Sequence, residues 1–277
     1  MSISNVSPVS LYLTAEKDEG TAAATYAKTD ATVTHEISSF EKEAPSITSA
    51  DGLLKNYSAL QVVLGAYGLG SISGETALVK DLLTQDPTSS KSLAKSSGNA
   101  TWLAFADAFS TWGSNGGTAS ATPFTSDTIS SIVSKFEYTQ YEDDDQNQDS
   151  GVGNALYFTR TMTSSKTLSQ IMSDPTLLKV VETVSGYDPD QFGVLDYNEQ
   201  VALLKNKVNL TDFSTPDGIQ RYAEQYLAML QINPQTPDKP TTMLDLFGGD
   251  NSDEGIIALF NTNGSSSSSG SMYSGLF

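Results

Sequence analysis

The 277-residue chain contains no cysteine and one histidine, His35. The first absence excludes disulfides, cysteine nucleophiles and thiolate metal sites, and it leaves the redox compartment open. The second excludes a histidine-rich metal site. His35 also lies in a polar stretch away from any nucleophile pattern, which argues against a Ser-His-Asp triad. Positive charge is scarce: 15 Lys and Arg stand against 33 Asp and Glu, a formal net charge of −18. Phosphate binding needs a basic footprint, so no nucleic-acid partner is expected, and an anionic membrane surface is disfavoured for the same reason. No window approaches the run of about eighteen apolar residues that spans a bilayer, so no membrane insertion is expected. The opening MSISNVSPVSLYLTAEKDEG has no basic n-region, no sustained apolar run and no cleavage signature. The expected location is therefore cytoplasmic, or outside the cell after export without a cleavable signal.

What is present is apolar periodicity. The 38% of apolar residues lies far above a disordered chain, and 277 residues can bury a sizeable core. Plentiful Ser, Thr, Ala and Asn dilute that core. The stretch Ser49–Leu69, SADGLLKNYSALQVVLGAYGL, places Leu53, Leu54, Tyr57, Leu60, Val63, Leu64 and Tyr67 at helical spacing, which predicts a buried stripe. Thr48 and Asp51 form a capping-type pair at its start, Asn56 offers a second cap within it, and Gly68 suits a left-handed end. The following GLGSISG resembles a phosphate loop only superficially, because it follows a helix instead of joining a strand to one.

A variant recurs 118 residues later as TLSQIMSDPTLLKVVETVSGY, with Asp174-Pro175 aligned to Asn56-Tyr57 and Gly186 to Gly68. Tyr222-Ala223 and Tyr226 likewise echo Phe105-Ala106 and Phe109 at an offset of 117. Two matches at nearly one offset argue for an internal duplication, over about 49–110 and 167–230. The fold class expected is all-α: an irregular helical domain built from two similar helical halves. Residues 1–46 are expected to form a flexible, loosely packed polar arm, with a short strand or extended piece at Pro8–Leu13. Residues 47–233 form the helical domain. Residues 234–277 form a Pro/Ser-rich tail with the short apolar patches MLDLF, IIALF and MYSGLF. The aromatics Trp102, Phe105, Phe109, Tyr222 and Tyr226, at helical spacing, are expected in the core.

HEISSFEKEAPSITSADGLLKNYSALQVVLGAYGLG, NALYFTRT, LSQIMSDPTLLKVV and TDFSTPDGIQRYAEQYL together resemble segments of the bacterial "domain of unknown function 1217" family, over roughly residues 30–232. The resemblance implies an all-helical fold and a setting among alphaproteobacterial flagellar genes, hence a role in flagellar assembly or structure. The family has no assigned catalytic residues to carry over. One departure bears on the role: axial flagellar proteins carry long terminal heptad helices, whereas both ends here are polar or serine-rich.

Candidate chemistry is sparse. Asp188, Asp190, Asp196 and Glu199 fall where an EF-hand-type calcium loop puts oxygens, with Gly193 and Leu195 at its turn and apolar positions. Phe192 removes one ligand and Pro189 is unusual, so an acidic helix–helix loop is the plainer reading and no metal site is assigned. Asp143, Asp145 and Asn147 begin a similar pattern within EDDDQNQD, where Gln148 replaces the glycine and Asn154 the terminal acid, and a solvated acidic loop is expected. Asp250, Ser252 and Glu254 are weaker still. Among 33 acids no carboxylate pair is singled out by spacing for acid–base work. Arg160 is expected to form a structural ion pair. The expectation is a protein without catalytic residues or cofactor, of unknown oligomeric state, working through contacts with other proteins, flagellar components among them. The alternatives are a cytoplasmic regulator or chaperone-like binding module, and a calcium-responsive module through residues 188–199.

Overall fold

The computed structural model describes residues 7–113, 122–148 and 151–233, the side chains of residues 113, 146–148 and 190 excepted. All of these belong to one unit, Met1–Gln235. The tail read over 234–277, with its apolar patches and Asp250–Glu254, lies outside the described residues. Among the described residues the chain is helical and contains no strand.

Three helices, α1 (Pro8–Glu16), α2 (Glu19–Thr29) and α3 (Ala31–Glu43), lead to a short 3-10 turn, Ala44–Ser46. Then follow α4 (Ala50–Lys55), α5 (Tyr57–Ala66), a second 3-10 turn (Gly70–Ile72), α6 (Thr76–Thr84), α7 (Leu93–Ser96), α8 (Ala100–Ala108) and α9 (Ser110–Gly113). The long α10 (Ser126–Gln148) leads to α11 (Val152–Thr161), α12 (Leu168–Met172), α13 (Pro175–Val184), α14 (Pro189–Phe192) and α15 (Tyr197–Lys205). A 3-10 turn (Leu210–Phe213) and α16 (Pro216–Ile232) complete the described chain.

Buried apolar side chains separate into two clusters. The first joins residues from Ala27 to Phe136. Its centre is aromatic: Phe105 and Phe109 lie 5.1 Å apart, Phe109 stacks on Trp112 at 5.5 Å, and Phe124 meets Phe40 edge-on at 5.7 Å. The second joins Tyr12 to residues from Val152 to Leu227 and is centred on Phe158, Phe213 and Tyr222. Burying one such ring and keeping it edge-on or stacked stabilises by a few kcal/mol, of which about 0.5–1.5 kcal/mol is the ring–ring geometry. Helix α10 lies against α2 and α5 and continues to α11, so it runs along both clusters.

Residues 8–46 differ from the loose arm expected. Pro8 stands at the first position of α1, where its fixed φ suits a helix, and Tyr12 is fully buried, its hydroxyl 2.7 Å from Thr159 Oγ1. Pro8–Leu13 is helical, with Val9, Leu11 and Tyr12 packed in the second cluster and Leu13 exposed, while Val33 and Phe40 of α3 pack in the first. A correction also applies to EDDDQNQD: its residues 142–148 continue α10 and do not form a loop. No Gly or Pro interrupts α10, and Gly151, at φ 110°, immediately precedes α11.

The organising stripe is broken in one place. Tyr57 is 72% exposed, because Asn56 ends α4 and caps α5, accepting from Ala59 N at 3.1 Å. The two short helices are therefore out of phase, and Tyr57 turns outward. Ser49, beside the expected Thr48, caps α4 through Gly52 N at 3.1 Å. At the far end of α5 the Leu69 N–H donates to Leu64 O (2.8 Å) and the Gly68 N–H to Gly65 O (2.9 Å), with Gly68 at φ 67°. The same pair of bonds ends α13: Tyr187 N–H to Glu182 O (2.9 Å), Gly186 N–H to Thr183 O (3.0 Å), Gly186 at φ 82°. Each atom of the second motif is 118 residues beyond its counterpart.

Candidate functional site

Where the two clusters meet, a cleft of about 720 Å³ opens. It is framed by the end of α5 and the Gly70–Ile72 turn, by the first turns of α8 and α13, and by the middle of α10 and α11. Gly65 lets α10 approach α5, since a Cβ there would stand 2.7 Å from Phe136 Cε2. Helix starts converge on the cleft with their own side chains closing them. Asn99 Oδ1 accepts from Thr101 N and Trp102 N at 2.9 and 3.0 Å. Asp174 Oδ1 accepts from Thr176 N and Leu177 N, both at 3.1 Å. Ser173 Oγ accepts from Ala100 N at 3.3 Å and so ties one half to the other across the seam.

Beneath the cleft lies a charged knot. Arg160 of α11 donates from Nε to Glu142 Oε1 and from Nη2 to Glu142 Oε2, each at 2.8 Å. Glu19 of α2 approaches to 4.0 Å, and the guanidinium lies over the rings of Tyr138 (5.0 Å) and Tyr157 (5.5 Å). Burial raises the carboxyls of both Glu19 and Glu142 above their ordinary values, and Arg160 opposes this. Two buried carboxyls beside one guanidinium retain a proton well above the usual carboxylate range. The bidentate geometry fixes the Glu142 carboxyl group against the guanidinium. Tyr157 extends the network by donating from Oη to Asp174 Oδ2 at 2.8 Å, and burial together with the Asp174 carboxylate raises its phenol. The ion pair expected of Arg160 is therefore present, its partner being Glu142.

The calcium-type positions are placed differently from a metal-wrapping loop. Asp188 accepts from Gln191 N at 3.3 Å at the start of α14, Asp196 precedes α15, and Glu199 lies in the first turn of α15. Residues 189–192 are helical, and Phe192 is buried. The Asp190 side chain lies outside the described residues. Asp143 and Asp145 stand in α10, and the side chain of Asn147 is likewise undescribed. Among the described residues no group of three or more acidic or histidine side chains is placed to hold a metal ion. His35 is exposed.

Residues 66–219 match the family described as "Protein of unknown function (DUF1217)". The chain belongs to this family. The matched span begins inside α5 and ends inside α16, so this DUF1217 protein carries most of the cleft walls within it. The crystal structure of protein AGR_C_984 from Agrobacterium tumefaciens is similar in fold, with a TM-score of 0.70 and 20% sequence identity, over 84% of this chain and 99% of that one. No curated protein matches the sequence. The cleft itself escaped the sequence reading, because Gln61, Asn99, Asp143 and Asp174 come from four separate elements. The only local signals were the caps: Asn before the Trp102 helix and Asp174-Pro175.

Proposed function

We propose that this DUF1217 protein is a non-enzymatic, flagellum-associated structural or assembly component that acts through contacts with other proteins. The observation that carries the contact reading is the turn between α14 and α15. Val194 is 83% exposed there and Tyr197 56% exposed, with Leu195 between them. Successive large apolar groups in water favour coverage by a partner, and contiguous exposed apolar surface is commonest where proteins meet. Asp188, Asp196 and Glu199 stand exposed around the same turn, which suits a partner with an apolar contact rimmed by positive groups. The flagellar setting comes from the gene neighbourhood that the family resemblance implies.

The test compares a motile strain with a flagellar-exporter-null strain by blotting supernatant, sheared filaments, basal-body fractions and cytosol. Export-dependent appearance in the supernatant or in a flagellar fraction is expected. Signal confined to the cytosol of both strains, with no flagellar protein co-purifying, would overturn the flagellar role and favour the cytoplasmic regulator or chaperone-like module.

A further inference from the structure

We infer that the cleft between the two core clusters binds an organic cation, an ammonium or guanidinium group of the kind that lysine, arginine and polyamines carry. Its volume of about 720 Å³ lies in the range of small-ligand sites. None of its described lining residues is Lys or Arg. Instead Glu36 from α3 and Asp143 from α10 reach it from separate elements, and neither has an ion-pair or hydrogen-bond partner among the described residues. Glu36 is half-buried, which raises its carboxyl above the ordinary value, while Asp143 is exposed. A cation bound in the cleft would pair with the charged form of these carboxylates.

The remaining walls fit the same ligand. Trp102 and Tyr157 line the cleft, and indole and phenol rings attract cations over their faces. The two helix starts that would draw an anion are already closed by Asn99 and Asp174. Gln61 also lines the cleft, and its Nε2 is buried without an acceptor. A carbonyl oxygen on the ligand, such as a peptide group flanking a basic side chain, would satisfy that donor.

The full chain is titrated with acetyl-Ala-Arg-Ala-amide, with its citrulline counterpart and with spermidine, at constant ionic strength. Tryptophan emission is the readout, since Trp102 lines the cleft while Trp112 is fully buried. Saturable binding of the arginine peptide or spermidine is expected, with the citrulline peptide silent. E36Q and D143N, each made separately, should weaken it by about tenfold or more, the loss typical of one charged hydrogen bond. A preference for the peptide assigns the cation to a protein segment, and a preference for spermidine assigns it to a free polyamine. No saturable binding of either cation, equal binding of the citrulline peptide, or binding unchanged in both variants would overturn the assignment. The titration reads the cleft alone, so its failure leaves the flagellar proposal standing.

Discussion

Arg160 holds Glu142 with two parallel hydrogen bonds of 2.8 Å, although 18 residues separate them. The pair joins α11 to α10, and Glu142 is 4% exposed. Fork-to-fork pairing fixes geometry as well as charge. Around it lie Tyr138, Tyr157 and Glu19, so one guanidinium connects α2, α10 and α11.

Removing the guanidinium leaves a buried carboxyl group without its cation. R160A should therefore lower the unfolding free energy by about 3–5 kcal/mol, the usual cost of breaking a buried pair from one side. R160K, which keeps the charge but loses the fork, should fall between. The double variant R160A/E142L should recover much of the loss, because no charge is then stranded. Urea midpoints of the four proteins measure this. Equal stability of R160A and the parent would mean that the pair contributes nothing.

The pH dependence follows from the direction of the carboxyl shifts. Burial raises Glu19, Glu142 and Glu36, and it pushes Glu182 up to about 7, with Lys179 opposing. A group whose folded pKa exceeds its unfolded value binds a proton more readily when folded. Its stabilisation is complete below the unfolded value of about 4.3 and is lost as pH rises through the folded one. Melting temperature should therefore fall as pH is raised from about 5 to about 8, and E182Q should flatten part of that slope. A melting temperature that rises steadily over that interval would contradict the burial of these groups.

Asp174 has two duties, capping α13 through two backbone N–H groups and accepting from Tyr157. D174A loses both and should cost about 2–3 kcal/mol, combining a cap of about 1 kcal/mol with a stranded buried hydroxyl. D174N keeps the cap and should cost less. In the background of Y157F the penalty of D174A should shrink toward the cap alone, which a double-mutant cycle with urea denaturation resolves.

Much of the helical fold was legible because its signals are local. Asn56, Asp174-Pro175, Gly68 and Gly186 each act within one turn of chain, and they end or start helices where the sequence places them. Errors arose where tertiary packing decided. The Pro8–Leu13 alternation suits a strand until the second cluster buries Tyr12 from one helical face. The acidic run 142–148 looks like solvated loop until Arg160 anchors Glu142 within α10. Tyr57 fits the stripe until a cap resets the helical phase beneath it. The cleft was invisible for a stronger reason: its walls are brought together only by the meeting of two cores, and no spacing in the chain encodes that.

The two glycines that end α5 and α13 offer a matched pair. Gly68 and Gly186 sit at φ 67° and 82°, and a Cβ built on either meets nothing within 4 Å. Crowding therefore plays no part, and backbone conformation alone selects glycine at both sites. G68A and G186A should each cost about 1–2 kcal/mol, the left-handed penalty of an L-residue. Asn, which tolerates that region better, should cost less than Ala at both positions. Because the capping hydrogen bonds are the same in the two motifs, the two Ala penalties should agree within about 0.5 kcal/mol when measured by urea denaturation. A neutral effect of G186A beside a costly G68A would mean that the α13 end relaxes to a right-handed turn, and that the shared geometry of the two helix ends is not equally fixed.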